Sequence, residues 1–262
     1  MERYRRAKGK QRLLGNHQKC WIWGRNPVLE TLRAGRWPIL ELWLAADLTD
    51  EPVPEALACA ERLKIPVTRG SSEDLIRLCH SAEHQGFLAK MGEFPYATED
   101  LLFEAGGPGA TSFYLLLDGV QDPHNLGAIL RSAEVFGATA VVLAGSGQVG
   151  VTRQVARSSA GAVNRVTLVQ TDDLPALAGR LRGAGVTVVG ASEKADETID
   201  QFDWRRPVAL VVGNEGHGHS AEMTGQIEAW VRIPQDGQIG SLNAAVAAAI
   251  GCYEIRRQRR RG

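Results

Sequence analysis

Two series of alternating apolar and polar positions run along the chain, separated by a break rich in glycine and proline. In the first series, residues 26–35 have helical spacing and close on Gly35. Residues 39–47 read as a strand, 54–64 as a helix and 65–70 as a short strand. Ser72 is placed to cap a helix with acids in its first turn, and 84–94 read as a further strand. These elements predict a small α/β unit over 21–94. Residues 95–112 contain GGPG, a density of Gly and Pro that suits a linker. The second series predicts strands at 113–118, 139–144, 165–170, 186–190, 208–212 and 230–233, and helices at 126–136, 173–183 and 241–256. Short strands separated by helices imply an α/β fold with a mostly parallel sheet covered on both faces.

Composition narrows this picture. The chain has 262 residues, 44% hydrophobic and 23% charged, as in soluble globular proteins. No apolar run reaches the ~18 residues of a membrane span. The N-terminus lacks the apolar core of a signal peptide, so a cytoplasmic protein is expected. Cys20, Cys59, Cys79 and Cys252 are scattered, which argues against a disulfide framework. Cys79, His80 and His84 share one segment, and His217 and His219 another, but each group lacks a further ligand. No metal site is expected.

The net charge of zero hides an uneven distribution. Residues 1–20 carry seven Lys or Arg and one acid, and residues 256–262 add five Arg, leaving −11 for the middle. Basic, flexible ends on an acidic body suit contact with a polyanion. Charge alone equally fits solubilising tails.

Four segments hold candidate chemistry. GSGQVG at 145–150 matches a dinucleotide-binding spacing, but it follows the second strand of its domain and precedes a broken helix. A nucleotide fingerprint is therefore not expected there. DPHNLGAILRSAEVFGA at 122–138 places Asn125 to cap a helix, and sets Arg131 one turn above Gly127 and Ala128, which leave room for a ligand. In VVGNEGHGHS at 211–220, three glycines flank Glu215 beyond a buried strand, where α/β sheets bind ligands. In IPQDGQIGSLNAAVAAAIGCYEI at 233–255, Ser241 can cap a helix whose first turn holds Asn243 and whose next residues are small and apolar. Each segment taken singly also fits an ordinary cap, loop or core helix.

Together, and in this order, these last three segments resemble the SpoU/TrmH family of RNA ribose 2′-O-methyltransferases, within the SPOUT class. WGRNPVLETLRAG and HQGFLAK are similar to the small RNA-binding domain that precedes the catalytic domain in the RlmB-like branch. The chain departs from the family pattern at His219, Gln235, Gly240 and Ala244–Ala245. The resemblance implies a SPOUT domain over 113–262 with a deep C-terminal trefoil knot, a fold that local patterning would not predict. It implies S-adenosylmethionine as cofactor, held around Gly213, Ile233 and Leu242. It assigns the catalytic role to Arg131, with Asn125, Glu215, Ser241 and Asn243 as the other polar positions. A guanidinium is a poor base, so Arg131 either removes the ribose proton or orients the substrate phosphate. The resemblance further implies a homodimer using the small face of the 241–256 helix. It implies an RNA partner, foremost a guanosine of 23S rRNA, with tRNA or a non-catalytic assembly role as alternatives.

Overall fold

A computed structural model of the chain describes residues 13–15, 19–49, 51–237 and 241–260. It forms two compact units. One holds the described residues up to Pro95 together with Val151–Arg165; the other holds Tyr96–Gly150 and the residues from Val166 onward. Most of the basic stretch expected at 1–20 lies outside the described residues.

The first unit runs β1 (Trp21–Trp23), α1 (Arg25–Ala34), β2 (Ile39–Ala45), α2 (Pro52–Leu63), β3 (Val67–Gly70), α3 (Ser72–Cys79) and β4 (Phe87–Met91). Its sheet has the order β1-β4-β2-β3, antiparallel except for β2 with β3. Trp21 and Trp23 alternate along β1 and share a core cluster with Leu88 of β4 and with Leu75 and Cys79 of α3. The cap of α3 is Ser71, not Ser72. Ser71 Oγ accepts from Asp74 N–H while the Asp74 carboxylate accepts from Ser71 N–H, a reciprocal capping box. Ser72 instead meets His84 Nε2 at 3.2 Å, and His84 Nδ1 accepts from Gly86 N–H at 3.0 Å. His84 thus spends both ring nitrogens on the fold.

The second unit is built on β5 (Phe113–Asp118), α4 (Pro123–Phe136), β6 (Ala140–Ala144), β7 (Leu168–Thr171), α6 (Leu174–Gly183), β8 (Thr187–Ala191), β9 (Val208–Gly213), α7 (Ala221–Thr224), β10 (Ala229–Val231) and α8 (Ala244–Arg259), with α5 (Arg153–Ser158) in the segment assigned to the first unit. All six strands are parallel, in the order β10-β8-β9-β5-β6-β7. β5, β6 and β9 are buried almost throughout, as a sheet covered on both faces requires. Ala209 and Val211 of β9 join the cluster around Leu177 and Leu181 of α6. Gly251 of α8 packs on Leu210. Because side chains alternate across a strand, α8 covers the face opposite α6, and there it packs along α4.

Three expectations change. The stretch read as a linker contains a 3₁₀ helix, Glu99–Gly106, with Leu102 in the core and Ala97 bridged to Val169. Segment 151–165 joins the first unit: Asn164 Nδ2 donates to Thr31 Oγ1 at 3.2 Å, and the Arg153 and Arg157 guanidiniums lie 4.8 and 5.3 Å from the Trp23 ring centroid. The C-terminal arginines from Arg256 to Arg260 are part of α8 and its cap rather than a flexible tail. Arg257 pairs with the buried Glu254 at 2.7 Å. Arg259 donates to four backbone carbonyls, those of Thr111, Ser112, Trp204 and Arg206. Burial pushes its pKa below the ordinary guanidinium value.

Arg259→Ala removes the donor to these carbonyls and is expected to cost about 1–3 kcal/mol. Arg256→Ala, at an exposed position, is expected to change stability by less than about 0.5 kcal/mol. Urea unfolding of both variants checks the difference.

Candidate active site

In a parallel sheet every strand points the same way, so the loops that follow the strands gather at one end. Here the loop after β5, residues 119–122, meets the loop after β9, residues 214–218. β10, the last strand in sequence, lies at the sheet edge, whereas α8, the next element, packs on the interior strand β9.

Local capping decides which side chains remain available. α4 begins at Pro123, not Leu126, and its cap is Asp122, whose carboxylate accepts from His124 N–H at 2.9 Å. Asn125 is therefore not the cap. It lies in the first turn, 8% exposed, with its amide free to bond elsewhere. α8 begins at Ala244, and its cap is Asn243, not Ser241. Asn243 Oδ1 accepts from Ala245 N–H at 2.9 Å and Val246 N–H at 3.3 Å.

These amides join the three segments. Asn243 Nδ2 donates to Asn125 Oδ1 at 3.0 Å, and Asn125 Nδ2 donates to Glu215 Oε1 at 2.9 Å. The Glu215 carboxylate also accepts from the N–H groups of Gln121 and Asp122, at 3.4 Å each. Burial raises the Glu215 pKa, but hydrogen bonds from Asn125 and from backbone N–H groups outweigh it and hold the carboxyl below its ordinary value.

Beside this chain of amides lies a cavity of about 570 Å³, lined by Gly213, Ile233, Leu242, Ser241, Asn243 and Glu215 among others. All three positions expected to hold the cofactor face it, as do Ser241, Asn243 and Glu215. Its walls also include Leu210, Val212, Ala247 and Ala248, so an apolar lining carries a few polar groups, the usual make-up of a small-molecule site. A methyl group on Gly213 would lie 2.6 Å from the Gly218 carbonyl carbon, so only glycine lets the 214–218 loop fold back here.

Arg131 is the exception among the expected residues. It is exposed on α4, does not line the cavity, and makes no hydrogen bond or ion pair with the described residues. Asn125 and Ala128 of α4 instead border an apolar groove shared with Val246, Ile250 and Tyr253 of α8. The small face of α8 is partly spent within the chain: Ala245, Ala248 and Gly251 are buried, while Val246 and Tyr253 are exposed.

Some lining residues were not singled out from sequence. Ser192 and Glu193 follow β8 and form part of the wall. Their place at the carboxyl end of a strand was the one available signal. Asn214, read only as part of its motif, donates from Nδ2 to the Gly119 carbonyl at 2.7 Å. His217 and His219 turn to separate partners, Asn214 Oδ1 at 3.3 Å and the Ala191 carbonyl at 3.1 Å. His219 lines the cavity edge-on to Trp230, with ring centroids 5.3 Å apart.

Comparison with known proteins decides the family. The SpoU rRNA methylase family model matches residues 112–253, and the model for RNA 2′-O ribose methyltransferase substrate binding matches residues 21–97. The chain belongs to the SpoU rRNA methylase family. Within it, the chain is 38% identical over 98% of its length to an uncharacterized tRNA/rRNA methyltransferase of Mycolicibacterium vanbaalenii, covering 83% of that protein. It is 31% identical over 93% of its length to YacO, a putative TrmH family tRNA/rRNA methyltransferase of Bacillus subtilis, covering 98% of that protein. Its fold is similar to the SpoU methyltransferase AviRb of Streptomyces viridochromogenes, with a TM-score of 0.79, 27% identity and 96% of each chain covered. A structure of AviRb in complex with AdoMet aligns with a TM-score of 0.78, at 27% identity over 95% of this chain and 96% of that one. GSGQVG is thus a loop of a SpoU fold, and it takes no part in lining the cavity.

The Glu215 carboxylate of the candidate site has a defined pH signature. A depressed folded-state pKa contributes stability that is fully present above the ordinary value of 4.5 and lost as pH falls through the folded value. Glu215→Gln removes that contribution. The stability gap between Glu215→Gln and the unaltered protein should therefore be constant at neutral pH and narrow as pH falls below 4.5. Urea titrations at stepped pH check this.

Proposed function

We infer that the protein transfers the methyl group of S-adenosylmethionine to a ribose 2′-hydroxyl of RNA. The observation that carries this reading is the Asn243–Asn125–Glu215 hydrogen-bond chain at the rim of the cavity, in a chain of the SpoU family. The AdoMet complex of AviRb supports the cofactor.

The cavity suits a nucleoside with a polar tail. Leu210, Val212, Leu242 and Ala248 offer apolar walls, and Ser192 and Ser241 offer hydrogen bonds. When bound, S-adenosylmethionine supplies a methyl group on a sulfonium that is already a good leaving group. The residues of the chain then have two tasks, to align the ribose hydroxyl and to accommodate its proton. Glu215, held as a carboxylate by three donors, fixes Asn125 and Asn243 at the rim, where they and Ser241 orient the ribose. Arg131 either takes the proton or holds the substrate phosphate.

Because Arg131 lies outside the cavity of its own chain, we assign it to the site of a second copy in a homodimer. The exposed apolar groove between α4 and α8 supports that assignment. The trefoil knot belongs to the same reading and is supported by the return of the chain from β10 at the sheet edge to α8 on β9. Unit 1 is read as the RNA-binding domain, on the substrate-binding match over 21–97. That domain favours a guanosine of 23S rRNA as substrate, with tRNA the second reading because relatives are named for both. A cytoplasmic location accords with such a substrate.

Incubation with labelled S-adenosylmethionine and total RNA, followed by mapping of 2′-O-methyl positions, tests the activity and identifies the RNA. Arg131→Ala should lower methyl transfer by at least about a hundredfold while retaining RNA binding. Light scattering should give twice the chain mass, and an active monomer would exclude the shared site.

A further inference from the structure

The glycine-rich loop after β6 does not line the cavity, yet it reaches the segment that holds Glu215. Gly119, the first residue after β5, has φ +83°, a left-handed conformation natural to glycine. Both polar atoms of Gly119 are held by side chains from other loops. Its N–H donates to Gln148 Oε1 at 3.2 Å, and its carbonyl accepts from Asn214 Nδ2 at 2.7 Å. One residue on, the carbonyl of the buried Val120 accepts from Val149 N–H at 3.0 Å. The next two residues, Gln121 and Asp122, supply N–H groups to Glu215, and Asp122 also caps the helix that carries Asn125. Two of these three ties therefore come from residues 148 and 149.

The chemistry of Gln148 singles it out. Its Nε2 is buried with no hydrogen-bond partner among the described residues. An unsatisfied buried amide is costly, and methionine or leucine would fill the same space without it. What glutamine adds is the oxygen bonded to Gly119.

We propose that Gln148 is a positioning residue for methyl transfer: its carbonyl oxygen sets the Gly119–Val120 turn and so places the Gln121 and Asp122 N–H groups that align Glu215 with Asn125 and Asn243. The inference rests on the functional reading above.

Two substitutions test it. Gln148→Met keeps the volume and removes the acceptor. Gln148→Glu keeps an oxygen acceptor in place and dispenses with the unpartnered donor. On the RNA that the unaltered protein methylates, Gln148→Met should lower kcat about ten- to hundredfold with the Kd for S-adenosylmethionine within about twofold, as expected for displaced catalytic groups beside an intact cavity. Gln148→Glu should restore most of kcat. In Gln148→Met the Glu215 carboxyl, followed by NMR titration, should move up toward the ordinary value. If the unaltered protein methylates no RNA, the functional reading fails and the proposal with it. If the unaltered protein is active and Gln148→Met leaves both kcat and the Glu215 titration unchanged, the proposal alone is overturned. A fall in cofactor affinity in step with kcat would mark general loosening of the fold, and would also overturn it.

Discussion

The Glu215 carboxylate is the point on which the site depends. It accepts from Asn125, whose oxygen accepts from Asn243, and these bonds cross 90 and 118 residues of sequence. No local preference brings such groups together. They meet because the parallel sheet delivers the ends of β5 and β9 to one edge, and because α8 returns to pack on β9. An amide can donate and accept at once, so Asn125 links a carboxylate to a second amide without leaving either unsatisfied. A carboxylate needs donors, and the backbone supplies two more from the turn ahead of α4.

The same economy of polar groups recurs at the C-terminus. The arginines of α8 read from sequence as one basic block, but the fold gives each a different task. Arg257 satisfies Glu254, Arg259 satisfies carbonyls of two separate segments, and Arg256 stays exposed. A run of like charge is therefore no measure of what is free to meet RNA. Close packing has its own local demand, met where Gly251 of α8 lies on Leu210 and where Gly213 admits the returning loop.

Capping shows how a short motif can be read in the right place with the wrong role. DPHN holds two residues suited to cap a helix, and SLN holds two more. Spacing alone favoured Asn125 and Ser241. The structure uses Asp122 and Asn243, one of them ahead of a proline at the first helical position. The shift of a few residues is what leaves Asn125 free for Glu215 and leaves Ser241 on the cavity wall.

By itself the sequence determined the α/β class, all six strands of the parallel sheet and the three segments that supply the site, because each is a local pattern of apolar period, glycine and capping residue. Through the family resemblance it also named Gly213, Ile233 and Leu242, which the structure shows lining the cavity. Tertiary structure alone decided the rest. The 3₁₀ helix at Glu99–Gly106 forms in a stretch whose glycines suggested a linker, because Leu102 finds a core to enter. Segment 151–165 joins the first unit through Trp23 and Thr31, partners more than a hundred residues away that no local period reveals. Arg131 could be named from its motif, but only the packing of α4 showed that it lies outside the cavity of its own chain. Position along a helix follows from sequence; what lies opposite that position depends on which other elements pack there.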